Sequence, residues 1–332
     1  MGKFIKKAFL FLAPLLLLTL CYVITDPYQT IFDRNVYLFD YIMLSRGGVS
    51  AKVYLKNKDK YKYDSFIFGS SRSTAHTAAE WSKYLGKDNV PFSFGAWNES
   101  IEGIYRRLRL IDSLKSPIRN AFILIDADLT FTKSDTDRTG DFADDHYLIS
   151  GESRFRYYVS GFMNYIENPR LIITSIDYKL FHKQRGYMDN FVDMKKGDLD
   201  PVTNDWFPNS EKNILRDSVA YYKAAEGKFY KRPAEQTYAK TQITRKKTNY
   251  LYKIAIILQK HHTNYKIVIA PLYDQVKLNP ADLAILWRVF GRQRVYDYSG
   301  INAITNNRFN YGSDVVHYRK KAGNLMFKEI YR

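Results

Sequence analysis

Cysteine is almost absent: Cys21 is the only one in 332 residues. An internal disulfide framework and any cysteine-rich zinc module are thereby excluded, so packing has to stabilise the fold. Histidine is scarce too, with six copies, and His76, His146, His182, His261 and His262 show no metal-ligand spacing. Neither a metal nor a cofactor is expected. Internal repeats and long low-complexity runs are missing. With 45% hydrophobic and 26% charged residues, the composition excludes a mainly disordered, collagenous or polytopic membrane chain. Acidic residues are in deficit, 34 against 51 basic ones, for a net charge of +17. That excess favours anionic partners such as nucleic acid, acidic lipid headgroups or wall polyanions without choosing among them. No nucleic-acid-binding module accompanies it, and nucleic acid is not expected as a partner. The length suits two average domains, or one α/β domain with insertions.

Only one long apolar run is present. Lys3, Lys6 and Lys7 precede an uncharged stretch from Ala8 to Thr25 centred on Leu15 to Leu18. At ~1.5 Å per residue these eighteen positions extend roughly 27 Å, enough to cross a hydrocarbon core. Basic residues on the N-terminal flank hold that end in the cytoplasm, which puts the body outside a cell membrane that the chain crosses once. A cleaved signal peptide is the competing reading, since Pro14 interrupts the run, but no small-x-small cleavage site follows it. Leu20 stands where a lipoprotein acylation site at Cys21 needs a small residue. The expected organisation is a cytoplasmic tail over 1–7, a transmembrane anchor in contact with lipid over 8–25, a stalk over 26–62 and an α/β domain over 63–332. The cluster from Lys56 to Lys62 reads as a solvated approach to the first strand.

In the body, Ser65-Phe66-Ile67-Phe68-Gly69 is a short apolar run ended by glycine and serines, as expected of a buried parallel strand. Val90 to Gly95 repeats the pattern, and Asn98 is expected to begin a helix carrying Ile101, Ile104, Tyr105, Leu108, Ile111 and Leu114 on one face. Ala121 to Ile125, Lys266 to Ala270 and Val295 to Tyr298 supply three more strands. Helices are expected over 246–260 and 318–331. Strands alternating with helices imply a parallel sheet covered on both faces. The pattern loosens between about residues 130 and 245, which reads as a mostly helical insertion.

In an open α/β sheet the ligand site lies beyond the carboxyl ends of the strands. The first such end presents Gly69-Ser70-Ser71-Arg72-Ser73, which makes Ser71 a candidate nucleophile, although serines on such a turn also cap helices. Just before the last helix stands Asp314-Val315-Val316-His317. An Asp three residues before a His can reach Nδ1–H, fix the tautomer and leave Nε2 as a base, or it can cap the helix beside a surface His. The two motifs meet only if the sheet brings both chain ends to one edge.

These blocks resemble the SGNH, or GDSL-like, hydrolase and acyltransferase superfamily. The resemblance implies a flavodoxin-like three-layer sandwich around a central parallel sheet, and a triad of Ser71, His317 and Asp314. Gly69-Ser70-Ser71 matches the family's Gly-Asp-Ser block with Ser70 in the Asp place. Gly95 matches the glycine whose N–H helps form the oxyanion hole. Where the family has Asn in its third block, this chain has Asp126-Ala127-Asp128, and an ionised carboxylate cannot donate a hydrogen bond to an oxyanion. Asn98 could substitute. Membrane-tethered relatives act on cell-envelope polymers of bacteria. The resemblance therefore implies an esterase or O-acyltransferase working on a glycan or wall polymer, the latter with an acyl-donor membrane protein as partner. Hydrolase and transferase remain open, and so does a catalytically silent envelope-binding or assembly protein that keeps the fold.

Other polar groups have plainer roles. Arg72 could meet an anionic substrate group or form a structural ion pair. Asp126 and Asp128 could position a substrate hydroxyl or simply end a strand. Asp141, Asp144, Asp145 and His146 read as a solvated loop rather than a cation site, and His261-His262 as the favourable end of a helix.

Overall fold

The computed structural model describes residues 2–32, 44–132, 146–188, 191 and 197–332. By their internal contacts they form two units, one of residues 1–49 with 139–195 and one of residues 50–138 with 196–332.

The second unit is built on seven strands: β1 (Ser65–Phe68), β2 (Pro91–Ser93), β3 (Asn120–Ile125), β4 (Gly197–Leu199), β5 (Trp206–Pro208), β6 (Asn264–Ile269) and β7 (Val295–Asp297). Five of them make one parallel sheet in the order β2-β1-β3-β6-β7, while β4 and β5 pair as an antiparallel hairpin. The register aligns Ser65 with Pro91 on one side and with Asn120 on the other. The expected strands all form, each within two residues of its anticipated start, because a strand buried on both faces reads as a continuous apolar run. Every residue of β1 and of β3 is buried.

Side chains alternate between the two faces of the sheet. Ile67, Phe122, Leu124 and Val268 enter one core with Trp81 and with Ala322, Met326 and Phe327 of the closing helix Lys320–Ile330. On the edge strand, Phe92 and the following Phe94 pack with Phe66 around Tyr54, from helix Arg46–Tyr61. The helix expected from Asn98 starts instead at Ile101, capped by Ser100, whose side chain accepts from the Gly103 N–H. Asn98 stands in the left-handed region at φ 54°, which asparagine tolerates and which breaks the helix before it can begin there. The lysine cluster at 56–62 includes the last turns of helix Arg46–Tyr61, so an ordered helix precedes the first strand.

Within the insertion the second unit holds the hairpin and helices Asn209–Arg216 and Ser218–Ala224. The other unit contains helix Gly2–Thr25, with Arg154–Ile166 and Pro169–Phe181 packed on its C-terminal end through Tyr22 and Thr25. Helix Gly2–Thr25 is long and apolar enough to cross a bilayer, a property that anchors and signal sequences share.

Lys320, the first residue of the closing helix, has an Nζ without a hydrogen-bond partner, and it lies 3.0 Å from the centre of the Phe207 ring. Burial lowers its pKa to about 8, against the opposing pull of Asp205 and Glu211. The charged form is the penalised one. This residue therefore costs stability below about pH 8, and the cost is relieved as pH rises toward the ordinary lysine value. Lys320→Met is expected to stabilise the protein at neutral pH by on the order of 1–3 kcal/mol and to flatten the rise of stability with alkaline pH. Urea unfolding at neutral and alkaline pH measures both.

Candidate active site

Strand order reverses between β1 and β3, and at that point the chain leaves β1 through Gly69 and β3 through Asp126. Gly69 adopts φ 147°, and a Cβ there would come within 2.8 Å of Leu124 Cβ. Only glycine fits such a bend. The next residues form a short 3₁₀ turn, Ser71–Ala75, capped by Ser70, whose Oγ accepts from the Arg72 N–H. Ser73 is buried and its hydroxyl donates to the Ser70 carbonyl. Ser71, by contrast, is partly exposed.

The loop Gly312–Arg319 reaches Ser71 from the far end of the chain. His317 Nε2 lies 2.8 Å from Ser71 Oγ, and His317 Nδ1 lies 2.7 Å from Asp314 Oδ2. The tautomer follows from the partners: a carboxylate only accepts, so Nδ1 carries the proton and Nε2 accepts from the serine hydroxyl. Asp314 Oδ1 also accepts from the Val316 and His317 N–H groups. Burial favours the protonated form of Asp314, but the His317 ring and these two N–H groups outweigh it and hold the carboxyl below its ordinary pKa. The carboxylate is thus ready to stabilise an imidazolium. With 39% of the His317 side chain exposed, a substrate can reach the base.

Gly95 lies against this turn: a Cβ on it would meet Ser73 Oγ at 2.6 Å and the Gly69 carbonyl at 2.9 Å. Its carbonyl accepts from Ser50 Oγ. Neither the Ser71 nor the Gly95 main-chain N–H donates to an acceptor among the described residues. Asn98 is exposed and shows no bond to the three.

Arg72 and Asp126 take structural positions. The Arg72 guanidinium forms a bidentate pair with Asp128 at 2.7 and 2.9 Å, and its Nε donates to the Val316 carbonyl at 3.0 Å. Its side chain is only 8% exposed, which leaves little of it for a substrate anion. Burial works against the Arg72 charge, but Asp126 and Asp128 more than offset it and hold the group firmly cationic. Asp126 is sealed from solvent, 3.4 Å from Arg72 Nη1. Burial, helped by Asp128, raises its pKa against the pull of Arg72 and Ser70. One cation thus faces two carboxylates, the sealed Asp126 and the half-exposed Asp128. A sealed Asp126 cannot touch a substrate hydroxyl.

Sequence reasoning missed the residues that hold the loop. Tyr221 Oη accepts from the Ser313 N–H and bonds the Ser313 hydroxyl, and Tyr222 Oη bonds the Phe309 and Tyr311 carbonyls. Val315 sits at φ 52°, a strained setting for a β-branched side chain that only such over-determination sustains. No local signal links these positions, which lie about ninety residues apart.

The remaining candidates have other partners. His76 is buried against Tyr318, and burial lowers its pKa to about 3. His261 pairs with Asp112, while His146 caps a short helix. Asp141, Asp144 and Asp145 lie outside the described residues. Among the described residues no cluster of metal-ligating side chains occurs. No protein-family model matches the chain, and no curated protein does.

Arg72→Met would free the Val316 carbonyl and strand Asp126 without its cation. The expected cost is ~3–5 kcal/mol of stability in urea unfolding, partly recovered when Asp126→Leu is added. Unchanged stability in the single variant would show that the tie does not hold the loop.

Proposed function

We propose that the protein is a membrane-anchored serine esterase or O-acyltransferase of the SGNH type, with its catalytic unit outside the cytoplasmic membrane. One observation carries this reading: Ser71, His317 and Asp314 form an unbroken hydrogen-bond relay, although 246 positions separate the serine from the histidine. A cap alone explains Asp314 but not the serine contact. Supporting it, the strand order around the turn is the one seen in flavodoxin-like sheets, with the ligand crevice at the reversal.

The chemistry follows from the atoms. As Ser71 Oγ attacks an ester carbonyl carbon, its proton passes to His317 Nε2, and Asp314 stabilises the imidazolium. The carbonyl oxygen becomes an oxyanion, for which the Ser71 and Gly95 N–H groups are the available donors. Collapse expels the alcohol, which takes the proton from Nε2 and leaves the acyl group on Ser71. An incoming hydroxyl then reverses the steps. Water makes the protein an esterase; a sugar hydroxyl makes it a transferase. The third block requires no side-chain donor in this scheme, since Asp126 is sealed away.

Lys3, Lys6 and Lys7 favour a cytoplasmic N-terminus, and the net charge of +17 suits an anionic envelope glycan or wall polymer as acceptor.

A fluorophosphonate probe is expected to label the wild type and Ser73→Ala but not Ser71→Ala, and His317→Ala is expected to slow labelling ~10³-fold or more. A folded wild type that resists the probe would point to the silent envelope-binding alternative. Labelling that follows Ser73 would move the nucleophile by two positions.

A further inference from the structure

Helices Arg154–Ile166 and Pro169–Phe181 pack against the last turns of Gly2–Thr25 and against each other. Tyr157, Gly161 and Tyr165 line the inward side of the first, and Leu171, Thr174, Ser175 and Tyr178 that of the second. Tyr22 packs edge-on against Phe162 and at a tilt against Tyr165, and a Cβ at Gly161 would lie 2.9 Å from the Tyr22 hydroxyl. The outward sides are apolar as well. Phe155, Val159 and Met163 recur every fourth residue and are 79%, 40% and 41% exposed. Ile173 and Leu180, two turns apart, are 58% and 68% exposed. Rows of large apolar side chains on helices mark a surface meant to be covered.

We propose that the lipid bilayer covers it: the two helices lie in the outer membrane interface, with their outward rows among the acyl chains. This rests on helix Gly2–Thr25 being a retained anchor. Tyr22 is three residues from the end of that helix, about 4.5 Å at the ~1.5 Å rise per residue, so whatever packs on it sits at the edge of the hydrocarbon core. Gly2–Thr25 itself has exposed apolar side chains, including Leu16, Leu17, Leu20 and Ile24. Tyrosines concentrate at this level, as at membrane boundaries generally. The helices carry Arg154, Arg156, Arg170 and Lys179 against the single acid Asp177, which is bound to Arg185 and Tyr187. A cationic helix pair with an apolar outer row suits anionic headgroups above and lipid tails below.

The test uses the full chain with Cys21→Ser, reconstituted in liposomes whose acyl chains carry bromine. Single variants Phe155→Cys, Met163→Cys and Leu180→Cys bear a fluorophore, with Leu15→Cys and Lys83→Cys as references inside and outside the membrane. The proposal expects quenching at the three sites several-fold above that at Lys83→Cys and approaching that at Leu15→Cys. Quenching at Leu15→Cys alone would overturn it while leaving the anchor intact, and cross-linking of Phe155→Cys between copies would then assign the face to a dimer. No quenching even at Leu15→Cys would refute the anchor, and the proposal with it.

Discussion

The Arg72 guanidinium ties together three stretches that sequence separation would keep apart. It follows Ser71 directly, closes on the Asp126–Asp128 turn beyond β3, and donates to the Val316 carbonyl beside His317. The relay between Ser71 and His317 is short because this buried cation leaves both neighbouring loops little freedom. A surface ion pair could not do this, since exposed pairs contribute little and yield to solvent. Here the cation is shielded, and moving either loop away would abandon charge in a low-dielectric site. The strained Val315 is sustained at the same place, with Tyr221 and Tyr222 holding the other side of the loop.

Much of this was legible in the sequence because of where the apolar residues fall. Buried parallel strands such as Phe66–Phe68, Ile123–Ile125 and Ile267–Ile269 announce themselves as unbroken apolar runs, and polar residues just past them mark the crevice. The Asp-x-x-His spacing predicts a local contact, which His317 and Asp314 make at 2.7 Å. What the sequence hides is non-local. The Arg72 partners lie 54 to 56 positions away for the carboxylates and 244 for the carbonyl. The sequence does not distinguish the helix start because Asn98 and Ser100 are both good capping residues, and only the backbone at φ 54° shows that Asn98 serves as a break instead. The hairpin within the insertion resists reading because its strands are short: β4 and β5 have three residues each, below the length at which alternation can be recognised.

Two kinds of surface thus arise from one composition. Around the sheet, aromatic residues are spent on the core, as with Trp81, Phe122 and Phe327. In the unit that holds the N-terminal helix, Tyr22, Tyr28, Tyr165 and Tyr178 gather inward with Leu171 and Phe191, while Phe155, Leu180 and Phe181 face out. Apolar residues on both sides of a helix are what a boundary between protein and lipid would demand, whereas a water-exposed helix keeps one side polar.

The central claim is that Ser71 becomes acylated with His317 as its base. Acid-quenched mass spectrometry after brief exposure to an activated acetyl ester tests it most directly. The account predicts one added acetyl group, mapped to the peptide containing Ser71 and lost in Ser71→Ala. An adduct on Ser70 or Ser73, or none on a folded protein whose relay is intact, would contradict it.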